Sequence, residues 1–212
     1  MGSFKADREK MVRSQIEGRG ISDEQVLRAM RCVPRHLFVT EDARSQAYRD
    51  CPVRIGSGQT ISQPYIVALM TSLLNVKKHH KVLDVGTGSG YQAAVLAELG
   101  AEVHSIERHP ELAQEAEALL RGLGYDSVWV HVGDGTQGLQ EFAPFDRILV
   151  AAAAPSVPEP LLDQLADGGK LVVPVGSRFA QTLEVWTKKG EEYLRQSHIG
   201  VMFVPLVGKH GW

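Results

Sequence analysis

Residues 82–91 constrain the fold of this chain more than any other stretch. They read Val-Leu-Asp-Val-Gly-Thr-Gly-Ser-Gly-Tyr, an apolar run with an acidic residue, followed by three glycines at alternate positions. A largely apolar run, residues 91–99, comes next. This pattern predicts a buried strand, a tight turn and a helix start. Glycines allow positive φ angles and let a ligand lie against bare main chain. Free N–H groups at the helix start can hold ligand oxygens.

The spacing of the glycines discriminates between nucleotide cofactors. A dinucleotide turn reads G-x-G-x-x-G and seats a pyrophosphate, whereas here Gly86, Gly88 and Gly90 place the third glycine one residue earlier. The carboxylate of Asp84 would repel a pyrophosphate but could accept a hydrogen bond from an ammonium group. S-adenosylmethionine has such a group and carries no phosphate. The turn therefore favours S-adenosylmethionine over NAD, with NAD and a purely structural turn left as alternatives.

Two further acidic residues follow expected strands. Glu107 lies 21 residues after the first glycine and directly follows the expected second strand, residues 102–106. An acid at that place binds ribose hydroxyls in nucleotide folds. Asp134 follows the expected third strand, Val128–Val132, within a Gly-Asp-Gly turn. It is placed to meet the amino group of adenine, although turn chemistry alone would also explain an aspartate there.

Strands and helices alternate from Lys81 onward. The expected strands are residues 81–85, 102–106, 128–132, 146–151, 170–175, 183–187 and 199–205, and the expected helices are residues 91–99, 110–121 and 158–165. This alternation predicts an α/β fold with a doubly wound, mostly parallel seven-stranded sheet. Right-handed crossovers would bring the strand ends at Asp84, Glu107, Asp134 and Ala151 to one edge, where a ligand should bind.

The first part of the chain, residues 1–75, is expected to form a helical extension. Residues 7–17 predict one helix, and Ser22 followed by Gln25 predicts a capping box for a second. Residues 76–212 are expected to form the cofactor-binding core, with both parts in one structural unit.

A polar loop, residues 55–65, joins the extension to the core. It contains two glycines and a series of hydroxyl and amide side chains, and it runs into a segment with helical apolar spacing. Ser62 stands where an N-cap is expected, with Pro64 in the first helical turn. The same hydroxyl could donate a hydrogen bond to a substrate, and both roles are compatible.

Composition narrows the class of protein. The chain has 212 residues, a net charge of −2 and two cysteines. Its interspersed charges lack the basic footprint of a nucleic-acid-binding protein. Two cysteines, Cys32 and Cys51, are too few for a disulfide framework or a structural zinc site. We find no membrane-spanning run and no signal core. We therefore expect a cytoplasmic protein that binds neither metal, nucleic acid nor membrane. We also expect a monomer, although nothing in the composition bears on the oligomeric state.

Several blocks of the sequence together resemble the protein-L-isoaspartate O-methyltransferase family. They are residues 58–65 (Gly-Gln-Thr-Ile-Ser-Gln-Pro-Tyr), 84–91, 143–146 (Ala-Pro-Phe-Asp), 152–155 (Ala-Ala-Ala-Pro), 174–176 (Pro-Val-Gly) and 203–206 (Phe-Val-Pro-Leu). The resemblance implies a Rossmann-like methyltransferase fold with S-adenosylmethionine as cofactor and S-adenosylhomocysteine as product. It implies methylation of the free α-carboxylate of L-isoaspartyl, and also D-aspartyl, residues in damaged proteins and peptides. The ester then returns to a succinimide, which initiates repair.

The resemblance also implies roles for individual residues. The catalytic residue falls on Ser62. The cofactor-binding set is Gln59, Thr60, Ile61, Ser62, Asp84, Gly86, Thr87, Gly88, Ser89, Gly90, Glu107, Arg108, Gly133, Asp134, Gly135 and Ala151. The substrate-binding set is Thr60, Ile61, Ser62, Val204, Pro205 and Leu206.

Three alternatives remain open at this point. A methyltransferase for small molecules or nucleic acid is disfavoured, because an amine-methylating enzyme would carry an Asn/Asp-Pro-Pro-aromatic motif where this chain has Ala152-Ala153-Ala154-Pro155. An NAD-dependent oxidoreductase is disfavoured by the glycine spacing. A non-catalytic protein that binds S-adenosylmethionine would also retain Asp84 and Glu107, and only the Ser62 loop speaks against it.

Overall fold

The computed structural model describes residues 4–56 and 58–212. Its centre is a seven-stranded sheet with the order β5-β4-β3-β6-β7-β8-β9, and β1 and β2 form a separate hairpin. The strands are β1 (Val53–Arg54), β2 (Thr60–Ile61), β3 (Lys81–Val85), β4 (Glu102–Glu107), β5 (Val128–Val132), β6 (Phe145–Val150), β7 (Leu165–Gly176), β8 (Gln181–Lys189) and β9 (Glu192–Val201). The α-helices are α1 (Phe4–Met11), α2 (Glu24–Cys32), α3 (Pro64–Leu74), α4 (Tyr91–Glu98), α5 (Pro110–Gly122) and α6 (Glu159–Asp163).

The first five strands of the sheet are parallel and the last two are antiparallel. Strands β3, β4, β5, β6 and β7 pair in parallel, while β8 pairs antiparallel with both β7 and β9. Val85, at the end of β3, lies opposite Ile106 on one side and Val150 on the other. The carboxyl ends of the central strands therefore meet at one edge. The predicted doubly wound, mostly parallel seven-stranded fold is confirmed.

The burial of the strands explains which of them the sequence predicts well. In β3 the side chains of Val82 and Leu83 are fully buried, as expected for a central parallel strand covered by helices on both faces. Strand β9 lies at the edge of the sheet and is mostly exposed. It therefore needs no continuous apolar pattern, and charged side chains along such an edge discourage pairing with other chains.

The predicted bounds of the last strand are wrong. We expected a strand over residues 199–205, whereas β9 begins at Glu192 and ends at Val201. Its first half is polar because it faces solvent. The following segment leaves the sheet, and Pro205 forms an isolated parallel bridge with Ala153. Strand β7 likewise begins five residues before the predicted start, at Leu165.

The N-terminal extension is helical, as predicted, but its second cap differs. Helix α1 continues through a π-helical turn and a short 3₁₀ turn, and the chain then reverses at Gly20, whose φ is +92°. The N-cap of α2 is Asp23, whose carboxylate accepts hydrogen bonds from the main-chain N–H groups of Gln25 and Val26. The predicted capping box at Ser22 is therefore wrong by one residue, because a carboxylate at position 23 reaches the free N–H groups of the first turn.

The extension and one face of the sheet share a hydrophobic core. Buried side chains of α1 and α2, such as Met11 and Met30, belong to the same cluster as Leu74 of α3, Val82 of β3 and Leu149 of β6. A second cluster covers the other face of the sheet. The division of the chain at residues 75 and 76 stays a prediction. Within the described residues, none of the helices combines the length and the apolar character needed to cross a lipid bilayer.

Candidate functional site

A cleft opens at the carboxyl edge of the central strands. It encloses about 960 Å³ of space, a volume that includes open solvent at its mouth. The segments that line it include the glycine turn after β3, the residues around the end of β4, residues 59–62, and residues 204–207. The topology thus brings together segments that are distant in the sequence.

The glycine turn exposes its main chain to this cleft. Gly86 and Gly88 line the cleft with φ angles of +96° and +54°, conformations that residues with a Cβ rarely adopt. Gly90 has a different task. It is the N-cap of α4, and a Cβ on it would lie 3.0 Å from the side chain of Leu120. The first two glycines therefore shape the cleft, and the third lets α4 and α5 pack closely.

Glu107 holds the turn in place. Its side chain is almost fully buried and lines the cleft. One carboxylate oxygen accepts a hydrogen bond from the N–H of Gly88, and the other accepts one from the N–H of His109, both at 3.0 Å. Because each oxygen can accept two hydrogen bonds, both oxygens retain capacity for a ligand donor. Glu107 is thus suited to orient the glycine turn and to accept from hydroxyl groups in the cleft.

Asp84 is a buried carboxylate with one oxygen unpaired. Its Oδ2 accepts a hydrogen bond of 2.7 Å from the hydroxyl of Ser105, and Ser105 Oγ lies 2.6 Å from Thr87 Oγ1. Since Ser105 donates its only proton to Asp84, Thr87 donates to Ser105. Asp84 Oδ1 has no hydrogen-bond partner among the described residues. Burial raises the pKa of Asp84 to about 7, the hydrogen bond from Ser105 opposes this rise, and the charge of Glu107 adds to it.

The unpaired oxygen of Asp84 tests whether an S-adenosylmethionine site fits this structure. A buried acceptor without a partner destabilises the folded state by about 1–3 kcal/mol. Val85 and Gly86, directly after Asp84, line the cleft. A cationic donor that reached this oxygen from the cleft would satisfy it and offset the burial of the charge. The ammonium group of S-adenosylmethionine has this chemistry, so the residues fit the cofactor.

Ser62 lies in the cleft but does not cap a helix. Helix α3 begins at Pro64 and its N-cap is Gln63, with no side-chain cap bond, so the predicted capping role of Ser62 is wrong. The observed N-cap lies one residue after the predicted one. The side chain of Gln63 makes no cap bond and donates to Asp50 Oδ1 at 2.7 Å. No hydrogen bond joins the Ser62 hydroxyl to another residue in the described parts of the chain. The hydroxyl is therefore available to a ligand.

The C-terminal segment reaches the cleft across the small residues after β6. Ala153 donates from its N–H to the carbonyl of Val204 at 2.8 Å and accepts from the N–H of Leu206 at 2.6 Å. Only 1 % of the surface of Ala153 is exposed. Its small side chain allows the two segments to approach this closely. The main chain of residues 204–206 is thereby held extended along the cleft. An extended segment of this kind suits contact with a peptide.

Most of the predicted site residues line the cleft. They are Gln59, Thr60, Ile61, Ser62, Gly86, Thr87, Gly88, Ser89, Glu107, Arg108, Gly135, Ala151, Val204, Pro205 and Leu206. Four others, Asp84, Gly90, Gly133 and Asp134, are not among the lining residues. Nine further residues line the cleft although the sequence does not mark them as site residues: Val67, Met70, Val85, Tyr91, Gln92, Ile106, His109, Ala152 and Val207. For two of these, Val67 and Met70, the spacing of three residues on α3 is a signal that could have placed them on one helix face.

The carboxylate of Asp134 accepts hydrogen bonds from its own turn and from the C-terminal tail. Its Oδ1 accepts from the N–H and the hydroxyl of Thr136, and its Oδ2 accepts from Gln137 Nε2 and from the N–H of Lys209 at 2.9 Å. Turn chemistry and tail anchoring thus account for this aspartate. Its contact with adenine stays a prediction.

Comparison with known proteins agrees with this geometry. The sequence model of the family described as Protein-L-isoaspartate(D-aspartate) O-methyltransferase matches residues 6–211. The chain is 57% identical, over 100% of its length and 99% of the relative, to Protein-L-isoaspartate O-methyltransferase 1 of Syntrophobacter fumaroxidans. It is 53% identical, over 100% of its length and 98% of the relative, to Protein-L-isoaspartate O-methyltransferase of Methanospirillum hungatei.

A solved structure is similar as well. The crystal structure of a protein from Plasmodium falciparum, described as a putative protein-L-isoaspartate O-methyltransferase in complex with S-adenosyl-L-homocysteine, superposes with a TM-score of 0.84 and 30% identity. The match covers 94% of this chain and 98% of that one. The resemblance inferred from the sequence blocks is confirmed, and so is the methyltransferase class. The chain belongs to the protein-L-isoaspartate O-methyltransferase family.

Proposed function

We propose that this protein transfers a methyl group from S-adenosylmethionine to the free α-carboxylate of L-isoaspartyl residues, and of D-aspartyl residues, in damaged proteins and peptides. The observation that carries the proposal is a pair of polar groups without a partner in the described chain, one behind the glycine turn of the cleft and one in its lining. An unpaired buried carboxylate oxygen lies behind the glycine turn, and a serine hydroxyl without a partner in the described chain lines the same cleft. The first suits the cofactor and the second suits an anionic substrate. Family membership supports the same reaction.

The cofactor would be held by main chain and two acids. Asp84 Oδ1 is suited to the ammonium group, Glu107 to the ribose hydroxyls, and Gly86 and Gly88 let the ligand lie against the backbone. When bound, S-adenosylmethionine supplies a methyl group that its sulfonium already activates. The protein therefore has to bind and orient the reactants, and this chemistry needs no metal.

The substrate needs orientation rather than activation. A free carboxylate has a pKa of about 3.5–4 and is ionised at neutral pH, so the reaction requires no general base. Ser62 donates a hydrogen bond to one carboxylate oxygen and directs the other oxygen toward the methyl group. Such orientation can supply roughly 7–11 kcal/mol of the barrier reduction. Residues 204–206 contact the main chain of the substrate peptide, as extended segments do in other peptide complexes.

Repair follows from the product. The main-chain N–H of the residue after the ester attacks the ester carbonyl, methanol leaves, and a succinimide forms. Water then opens the succinimide to either a normal aspartyl or an isoaspartyl linkage. Each cycle thus converts part of the damaged residues to normal ones, with no further enzyme residue involved.

A pair of peptides tests the function directly. With labelled S-adenosylmethionine, we expect base-labile label in a peptide that contains L-isoaspartate. The same peptide with normal L-aspartate should stay unlabelled. Its free carboxylate is on the side chain and not on the α-carbon, so it projects from the main chain in a different place. A D-aspartyl peptide tests the second substrate. Equal labelling of the L-isoaspartyl and L-aspartyl peptides, or labelling of neither, would contradict the proposal.

Asp84 should make cofactor binding depend on pH. Its pKa in the free protein is about 7, and an ammonium partner lowers it, so binding should release a proton near neutral pH. We expect the affinity for S-adenosylmethionine to rise about tenfold between pH 6 and 8. Calorimetry in two buffers of different ionisation enthalpy measures the released proton. Equal apparent enthalpies in both buffers would contradict this expectation.

The stability of the free protein should show the opposite trend. The pKa of Asp84 is raised from 3.8 in the folded state, so the folded state binds the proton more tightly than the unfolded state. The stabilising contribution of this proton is fully present below about pH 3.8 and is lost as the pH rises through about 7. Cofactor binding should restore stability above pH 7.

Three expectations about the location, the oligomeric state and the partners of the protein stay predictions. They are a location in the cytoplasm, a monomeric state and a lack of affinity for nucleic acid. The net charge of −2 supports the last of them.

A further inference from the structure

Arg35 is a fully buried cation without a carboxylate partner in the described chain. It begins the short 3₁₀ turn Arg35–Leu37 that follows α2, and none of its surface is exposed. Desolvation lowers the pKa of its guanidinium, and the nearby Tyr91 opposes that effect. Burying a charge away from water is unfavourable unless it is paired and hydrogen-bonded. Its burial therefore requires compensating contacts within the fold.

The guanidinium joins the N-terminal extension to the Ser62 loop. Arg35 Nε donates to the carbonyl of Ala47 and Nη2 donates to the carbonyl of Ser62, both at 2.7 Å. The guanidinium carbon lies 4.8 Å from the ring centroid of Tyr91, a residue that lines the cleft. Nη1 has no hydrogen-bond partner within the described residues. The planar fork of an arginine can hold two carbonyls in fixed directions at once, which a lysine cannot do equally well.

We infer that Arg35 is a positioning residue for methyl transfer, acting through the main chain of Ser62. This inference rests on the proposed function. By holding the Ser62 carbonyl, Arg35 sets the direction in which the Ser62 hydroxyl points into the cleft.

Arg147 provides a matched control. It is also largely buried, and it also binds two main-chain carbonyls, those of Asn75 at 3.1 Å and Asp146 at 2.6 Å. It lies on β6 opposite Val82 and does not line the cleft. Loss of Arg147 therefore removes similar hydrogen bonds and similar packing without touching the Ser62 loop.

The test compares Arg35→Met with Arg147→Met in the full-length protein. Both variants should unfold at lower denaturant concentration than the wild type. We expect kcat/KM for the isoaspartyl peptide to fall about tenfold in Arg35→Met and to stay within about twofold in Arg147→Met. The Kd of S-adenosylmethionine should be unchanged in both. Equal kinetic losses in the two variants would overturn the inference and show a merely structural role.

A double-mutant cycle tests whether Arg35 acts through Ser62. In the Ser62→Ala background, Arg35→Met should have almost no further effect on kcat/KM, because the hydroxyl that it positions is absent. An unchanged tenfold loss in that background would overturn the inference. Should Arg35→Met fail to fold, Arg35→Lys replaces it in the same cycle. Arg35→Lys is expected to lose about threefold in kcat/KM, because an ammonium group lacks the planar fork, and to lose nothing further beside Ser62→Ala.

The outcomes also separate this inference from the proposed function. If the wild type does not label the isoaspartyl peptide, the proposed function fails before any variant is compared. If the wild type labels the peptide and the two arginine variants behave alike, the function stands and only the role of Arg35 fails.

Discussion

Asp84→Asn is expected to weaken S-adenosylmethionine binding by about 100-fold or more, because removal of one partner of a buried, hydrogen-bonded charge pair costs about 3 kcal/mol. The asparagine amide is uncharged, and its NH₂ group is a donor that cannot accept a hydrogen bond from the ammonium group of the ligand. Stability should respond in the other direction. At pH 8 the wild type buries an ionised carboxylate with one unpaired oxygen, and the asparagine removes that charge while it keeps an acceptor for Ser105. The free variant should thus be at least as stable as the wild type.

Calorimetric titration and denaturant unfolding of the free protein measure the two effects. Asp146→Asn is the matched control, because Asp146 is a half-buried aspartate at the amino end of β6 that accepts from the N–H of Lys81. Its replacement should leave cofactor affinity unchanged. A variant at Asp84 that binds the cofactor normally would show that the unpaired oxygen does not hold the ammonium group. A variant that loses both affinity and stability would point to a structural role for the Asp84–Ser105 hydrogen bond.

Ser62→Ala is expected to lower kcat for the isoaspartyl peptide about 100-fold, with cofactor affinity and stability unchanged. Misplacement of a reacting group by about 1 Å can reduce a rate by this amount, and without the hydroxyl the substrate carboxylate is no longer held in line. The stability should not change, because Gln63 rather than Ser62 is the N-cap of α3. The Ser62 carbonyl, which accepts from Arg35, is retained in alanine.

Ser72→Ala is the control for this variant. Ser72 is a half-buried serine on α3 that does not line the cleft, so kcat should be unaffected. Steady-state kinetics with the peptide, calorimetric titration with the cofactor and thermal unfolding form the set of measurements. Normal turnover in Ser62→Ala would remove the hydroxyl from the mechanism. A lower melting temperature together with normal turnover would show that the hydroxyl contributes to stability instead of to methyl transfer.

The sequence predicted the core of the fold because the relevant signals are local. The apolar runs of β3 and β6 mark buried parallel strands, and Gly86, Gly88 and Gly90 mark the turn between β3 and α4. The periodicity of apolar residues, the residue types of turns and the signals for helix starts are all properties of neighbouring residues in the sequence. The bounds of the edge strand β9 could not be predicted in this way. A solvent-exposed strand needs no apolar periodicity, and the hydrogen bonds of β9 are made with its neighbour β8.

The cleft was only partly predictable. The glycine turn, Glu107 and the Ser62 loop were recognised from their residue types and from the family blocks, and they do line the cleft. The cap of α3 was misplaced by one residue, since serine, glutamine and proline in succession allow more than one helix start. The side chain of Gln63 makes no cap bond and donates instead to Asp50, a residue that is distant in the sequence.

The sequence by itself determined the sheet of alternating strands and helices, the edge of that sheet at which the cleft lies, the sulfonium cofactor that the glycine spacing favours and the family. Only the tertiary structure decided that Arg35 holds Ser62, that Asp134 anchors the tail at Lys209, and that residue 205 pairs with Ala153. The partners in these contacts are separated by 27, 75 and 52 positions in the sequence. Hydrogen bonds across such distances form only when several elements pack together, so no pattern of neighbouring residues reveals them.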